Sequence, residues 1–156
     1  MMKTAIGLDK KKSEKLAQQL NVLLADYQVY YQNLRGFHWN IKGPKFFELH
    51  LKFEELYNDA QIKIDEIAER ILTLGYIPLH SFSDYVKSSK VKEAKNITDP
   101  NKSMSTIVSN LGTLLQLERV ILDLSTDAND EGTNSLMSDY ITQQEKTIWM
   151  LNAWLG

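Results

Sequence analysis

Two histidines and three carboxylates, His38, His50, Glu54, Asp65 and Glu69, are the residues of this chain whose types and spacing could do chemistry. Imidazole and carboxylate groups together are the ligands expected for iron or zinc. The sequence contains no cysteine, which excludes a disulfide framework and a thiolate metal site and suits a reducing cytoplasm. Any metal must therefore sit on nitrogen and oxygen. His50 and Glu54 are separated by one helical turn, and so are Asp65 and Glu69. The two pairs cannot close on one ion, because a helix rises roughly 22 Å between His50 and Asp65.

The element carrying those pairs is an amphipathic helix ending near Leu74. At about 100° per residue, with His50 set to zero, Leu49, Phe53, Leu56, Ala60, Ile64, Ile67, Ile71 and Leu74 fall between roughly 240° and 320°. His50, Glu54, Asp65 and Glu69 fall between roughly 0° and 100°, away from the apolar stripe. Taken singly, each carboxylate reads as part of a solvated helix face. Taken together they form a face that is acidic plus histidine, while Lys52 and Lys63, which could have neutralised it, lie elsewhere. His38 continues the apolar stripe of the preceding helix four residues after Leu34. Alone it reads as a packing residue, and beside the other ligand types as a candidate ligand.

Helical spacing of apolar residues runs through nearly the whole chain, and nothing alternates as a strand would. A first helix is expected over about Lys10–Phe37, with Leu16, Leu20, Leu23, Tyr27, Tyr30 and Leu34 inward. Gly43-Pro44 breaks it, and the second helix is closed by Gly75. A third long helix starts near Asp99-Pro100 and carries Met104, Ile107, Leu111, Leu114, Ile121 and Leu122. After a polar loop over Asp127–Thr133, a last helix uses Leu136, Tyr140, Ile148, Leu151 and Leu155. The segment from Gly75 to Asp99 is too long for a plain loop in a compact domain. It suits a crossover along the bundle, with a short helix near Ser81–Lys87. The expected fold is thus all-α: a ferritin-like four-helix bundle with one long crossover between the second and third long helices.

One domain over residues 1–156 is expected, with residues 1–9 a flexible tail. A formal charge of −2 supplies no global attraction for nucleic acid or an anionic membrane. No stretch approaches the roughly 18 apolar residues of a membrane span, and Met1–Lys12 lacks the apolar run of a signal peptide. If two copies of the second helix crossed antiparallel about a two-fold axis near residues 59 and 60, each His50 end would face its partner's Glu69 end. Two identical metal sites shared between subunits would follow.

The run Gly36-Phe37-His38-Trp39-Asn40-Ile41-Lys42-Gly43-Pro44-Lys45-Phe46-Phe47-Glu48-Leu49-His50, with Phe53-Glu54-Glu55-Leu56-Tyr57 and Asp65-Glu66-Ile67-Ala68-Glu69-Arg70, resembles the Dps family of mini-ferritins. The resemblance extends to the closing Ile148–Gly156. It implies a hollow dodecamer built from two-fold dimers, with ferroxidase centres at the two-fold interfaces. His38, His50 and Glu54 would come from one subunit and Asp65 and Glu69 from the other. Glu54 stands where relatives more often carry aspartate, which bears on the second metal position. Trp39 corresponds to an aromatic beside the centre that quenches radical intermediates.

The resemblance further implies oxidation of ferrous iron, with hydrogen peroxide favoured over oxygen, and storage of ferric mineral in the cavity. It places cation pores near the start of the last helix, where Asp130, Glu131 and Asp139 are candidates. Two other readings stay open. The ligand types alone also admit zinc, as a substitute metal or in a structural bundle. A nucleoid-associated DNA binder would use Lys3, Lys10, Lys11, Lys12 and Lys15, but these read better as the solvated start of the first helix, so any DNA binding is expected to be weak.

Overall fold

A computed structural model describes all residues, 1–156, and contains five helices: α1 (Lys10–Asn40), α2 (Phe46–Thr73), α3 (Phe82–Ser88), α4 (Pro100–Asp127) and α5 (Glu131–Leu155). The ends are set by local chemistry. Asp9, Ser81, Asp99 and Asp130 each cap a helix by accepting a bond from a backbone N–H three residues on, and Pro100 occupies the first turn of α4. α2 closes with Gly75 left-handed at φ 94°, where Tyr76 N–H donates to Ile71 O and Gly75 N–H to Leu72 O. α4 closes the same way through Asn129 at φ 54°, with Asp130 N–H donating to Ser125 O.

That second closure shortens the loop expected over Asp127–Thr133 to the residues between Asp127 and Glu131, and moves Gly132 into α5. A side chain at Gly132 would sit 2.7 Å from the Arg70 guanidinium. Arg70 there donates to Asp130 Oδ1 (2.6 Å) and Thr133 Oγ1 (2.9 Å), tying the end of α2 to the start of α5. Asp130 is 2% exposed, so displacing Arg70 leaves a buried carboxylate short of its cation. Gly132→Ala should lower stability by about 1–3 kcal/mol, read from the denaturation midpoint; an unchanged midpoint would show that Arg70 moves aside freely.

α1 packs along α2, α4 along α5, and α1 also along α4, enclosing one apolar core. Leu16, Leu20, Leu23, Leu34, Phe53, Ile67, Ile71, Ile107, Leu114 and Ile121 are among its fully buried members. The crossover with α3 runs over α1, held by polar side chains of that helix. Asn21 Oδ1 accepts from Leu79 N–H (2.8 Å), and its amide donates to Ile77 O (3.1 Å). Buried Asp26 accepts at Oδ1 from Lys90 N–H (2.6 Å), Ser89 Oγ (3.1 Å) and Val91 N–H (3.3 Å). Burial nevertheless pushes the Asp26 carboxyl above its usual range, against the pull of those bonds. Buried Asn33 donates to Lys92 O (2.9 Å) and Asn110 Oδ1 (3.1 Å) and accepts from Ala94 N–H (2.8 Å).

Residues 1–9, expected as a flexible tail, fold back ahead of α1. Lys3 and Asp9 form an antiparallel bridge, Lys10 N–H donates to Met2 O, and Leu8 packs against the core. The left-handed Gly7 makes that reversal compact. No helix is long and apolar enough to cross a membrane.

Candidate metal centre

α1 brings His38 to its final turn and α2 brings His50 to the start of its second, so the hairpin at Gly43 sets the two imidazoles face to face. Their rings stack at 3.8 Å between centroids and 11° between planes. The hydrogen bonding is reciprocal: His38 Nδ1–H donates to His50 O (2.6 Å), and His50 Nδ1–H donates to His38 O (2.7 Å). Only the tautomer protonated at Nδ1 makes both bonds, and it leaves each Nε2 lone pair free for a metal. Phe46 stacks on the outer face of His50 at 4.9 Å, and the Tyr57 ring stands edge-on to His38 at 5.3 Å. His38 is 8% exposed, so its ring is held by packing as well as by its hydrogen bond.

Glu54 lies one turn beyond His50, half-buried, and the Tyr57 hydroxyl reaches its Oε1 at 3.5 Å. Tyr57 was not among the candidate ligands. Its spacing from His50, two helical turns, and from Glu54, three residues, is the signal that marks it as their neighbour. Asp65 and Glu69 are exposed further along α2. The chain's ion pairs use other acids, Asp127, Glu55, Asp59, Asp130 and Glu145, so both carboxylates remain unneutralised. Within one chain no three histidine, aspartate or glutamate side chains come together as a metal set. The subunit thus pairs His38 with His50, with Glu54 one turn further along α2, and leaves Asp65 and Glu69 toward that helix's other end, short of a complete set within one chain.

Trp39 follows His38 at the end of α1, 56% exposed, with the Arg35 guanidinium 4.8 Å above its ring. Of the pore candidates, Glu131 and Asp139 are exposed. Asp130 is not available for a pore, because its carboxylate caps α5 and binds Arg70 in a buried position.

A second polar cluster lies inside the bundle, where no site was expected. Glu118 on α4 is fully buried; the Tyr27 hydroxyl meets its Oε2 at 2.6 Å, and Gln144 touches both Tyr27 and Glu118. Burial pushes the Glu118 carboxyl up to about 8, against the lowering by Tyr27 and Lys63. Lys63 is buried nearby and donates to Asp59 (2.6 Å) and Gln143 (2.9 Å). Glu118 is the only carboxylate of this triangle, and no three histidine, aspartate or glutamate side chains gather around it as a metal set.

Residues 17–156 match the ferritin-like domain model. An uncharacterised protein of Haemophilus influenzae is 54% identical over 153 residues, covering 98% of this chain and 96% of its own. The DNA protection during starvation protein of Porphyromonas gingivalis is 43% identical over 148 residues, covering 95% and 93%. The crystal structure of the Dps protein from Vibrio cholerae O1, described as a member of a broad superfamily of ferritin-like diiron-carboxylate proteins, matches with a TM-score of 0.98 at 56% identity, over 100% of this chain and 98% of that one.

Proposed function

Because this chain belongs to the Dps family of ferritin-like proteins, we propose that it oxidises ferrous iron at sites shared between two subunits and stores the ferric product in a dodecameric cage in the cytoplasm. Hydrogen peroxide is the preferred oxidant, with oxygen the slower one. The observation that carries this reading is the reciprocal His38–His50 pair, which fixes both tautomers with Nε2 free at the one end of α2 that also carries Glu54. Imidazoles whose other nitrogen is held by a carbonyl are oriented, pre-formed metal ligands.

The α2 surface supplies the second half. Phe47 (83% exposed), Leu51 (56%), Ile62 (62%) and Leu72 (57%) lie on the same face as the ligands. A helix that exposes such a stripe is built to be covered. In the antiparallel pairing centred between residues 59 and 60, Phe47 meets the partner's Leu72, His50 meets the partner's Glu69, and Glu54 meets the partner's Asp65. Apolar side chains meet apolar ones, and each histidine end meets carboxylates.

Iron is the substrate of this reaction. His38 and His50 bind it through Nε2, and Glu54, its Oε1 steadied by Tyr57, adds a carboxylate that takes the place of the shorter aspartate. Asp65 and Glu69 of the partner subunit complete the set, and their charge favours the ferric state. One peroxide takes one electron from each of two ferrous ions, accepts two protons and leaves as two waters, so no hydroxyl radical escapes. Trp39 gives up an electron when an oxidising equivalent lacks a second ferrous ion, and Arg35 covers its face. Glu131 and Asp139 line the entry for cations. Zinc fits the same ligands and would block turnover, being redox-inert.

Stopped-flow absorbance of the iron-free protein, mixed with ferrous iron and then peroxide, tests the assignment. His38→Ala should slow oxidation on the order of 100-fold or more. A rate equal to the wild type would remove His38 from the site.

A further inference from the structure

Arg35 lies one turn before His38 and Trp39 on α1, and its guanidinium faces two aromatic rings at once. Its central carbon is 4.8 Å from the Trp39 ring centroid and 5.4 Å from that of Tyr31. Both distances fall inside the roughly 6 Å at which a cation is attracted to the face of an aromatic ring. No ion pair neutralises Arg35, because the chain's ion pairs use Lys12, Lys52, Lys63, Arg70 and Arg119. The two rings are also the aromatic ways out of the candidate metal centre. Trp39 follows His38 directly. Tyr31 meets Tyr57 edge-on at 5.8 Å, and the Tyr57 ring stands against His38 at 5.3 Å. One unpaired positive charge thus stands over both.

A cation favours a neutral ring, whose face is electron-rich, and repels the same ring once an electron has left it. Both effects oppose oxidation. At 4.8 Å, between a half-buried guanidinium and an exposed indole, the repulsion shifts the equilibrium for electron loss on the order of tenfold to a hundredfold. The other tryptophans supply the comparison. Lys45 Nζ stands 4.2 Å from the Trp154 centroid, whereas Trp149 has no cation over its ring. Trp149 is 66% exposed and Trp39 is 56% exposed. Access to solvent therefore separates these two indoles little, and the neighbouring charge separates them much.

We propose that Arg35 is a positioning residue whose charge holds Trp39 back from oxidation, so that ferrous iron is spent before the indole. This rests on the reading of Trp39 as an electron donor in reserve. With two ferrous ions in a site, peroxide takes one electron from each, accepts two protons and leaves as two waters, and Trp39 stays whole. With one ferrous ion, the second electron comes from the indole, which then loses its ring N–H proton and becomes a neutral radical. Without the charge of Arg35, the indole competes with iron in the first case as well. The protein would then consume its own side chain during ordinary turnover.

Treating the metal-free, assembled protein with hexachloroiridate(IV), which removes one electron without binding, tests the charge apart from the iron chemistry. Peptide mapping by mass spectrometry follows oxygen addition at each tryptophan. Trp39 in Arg35→Gln should be oxidised on the order of tenfold faster than in the wild type. Arg35→Lys also loses the guanidinium plane but keeps a positive charge, and should stay within about threefold of the wild type. Trp149 should react at one rate in all three proteins and serves as the reference. In a second arm, peroxide is added to protein carrying two ferrous ions per site, and Arg35→Gln should lose Trp39 where the wild type keeps it. The proposal is overturned if Trp39 in Arg35→Gln reacts at the wild-type rate, if Arg35→Lys reacts as fast as Arg35→Gln, or if Trp149 quickens equally. Intact Trp39 in wild type given peroxide with one ferrous ion per site would overturn the donor role itself, while a tenfold difference with the iridate would still establish the effect of the charge.

Discussion

Cages reassembled from an equal mixture of His38→Ala and Asp65→Ala subunits should recover ferrous oxidation that neither variant shows alone. In the proposed two-fold pair, each site takes histidines from one subunit and Asp65 and Glu69 from the other. A pure His38→Ala cage lacks the histidine in every site, and a pure Asp65→Ala cage lacks the carboxylate in every site. In a mixed pair the two lesions fall together in one site and leave the other whole. Random association makes half the pairs mixed, so about a quarter of the sites should be restored. A site built from a single chain would carry one lesion everywhere, and mixing would then restore nothing. The readout is burst amplitude in stopped-flow after the mixture is dissociated and reassembled, and an amplitude no greater than that of the separate variants would sink the shared site.

Stability of the wild type should fall as pH rises from about 4.5 to about 8, and Glu118→Gln should remove most of that fall. The Tyr27, Glu118 and Gln144 side chains meet in a triangle. Whichever way the Gln144 amide is turned, all three contacts are hydrogen bonds only when Glu118 carries a proton. The folded carboxyl, raised to about 8 from its usual 4.5, therefore holds a proton that the unfolded chain has already released. Where the folded state binds more protons than the unfolded one, raising the pH destabilises it. At about 1.4 kcal/mol per unit of displacement, the window spans several kcal/mol. Glutamine keeps the shape, bonds to both neighbours and has no proton to lose. Denaturant midpoints at pH 5, 7 and 9, at one protein concentration, give the comparison. A variant whose midpoints fall with pH as steeply as the wild type's would place the linkage on another group.

Fold and site were not equally legible in the sequence. Asp9, Asp99 and Gly75 mark helix ends because capping and left-handed closure are decided within four or five residues. The same short range made Asn129 easy to miss: Gly132 was the stronger stop signal in its neighbourhood, yet its missing side chain serves Arg70 from a helix sixty positions away. Asp130 looked like an exposed acid at a helix start and is a buried cap for the same reason. Asn21, Asp26 and Asn33 read as ordinary polar positions of α1 until the crossover lies across them.

The two histidines and three carboxylates of the candidate metal site, His38, His50, Glu54, Asp65 and Glu69, show the division. Their types, their one-turn spacings and the distance separating the two pairs follow from helix geometry alone, and so does the conclusion that one copy of α2 cannot close a site. The tertiary structure decided what each side chain is ready to do. The hairpin at Gly43 stacks His38 on His50 and spends both Nδ1 protons on carbonyls, while packing buries Glu118 beside Lys63 and leaves Asp65 and Glu69 bare. Periodicity reports which way a residue points, but protonation and pairing depend on which distant segment arrives opposite it, and that is settled only when the helices pack.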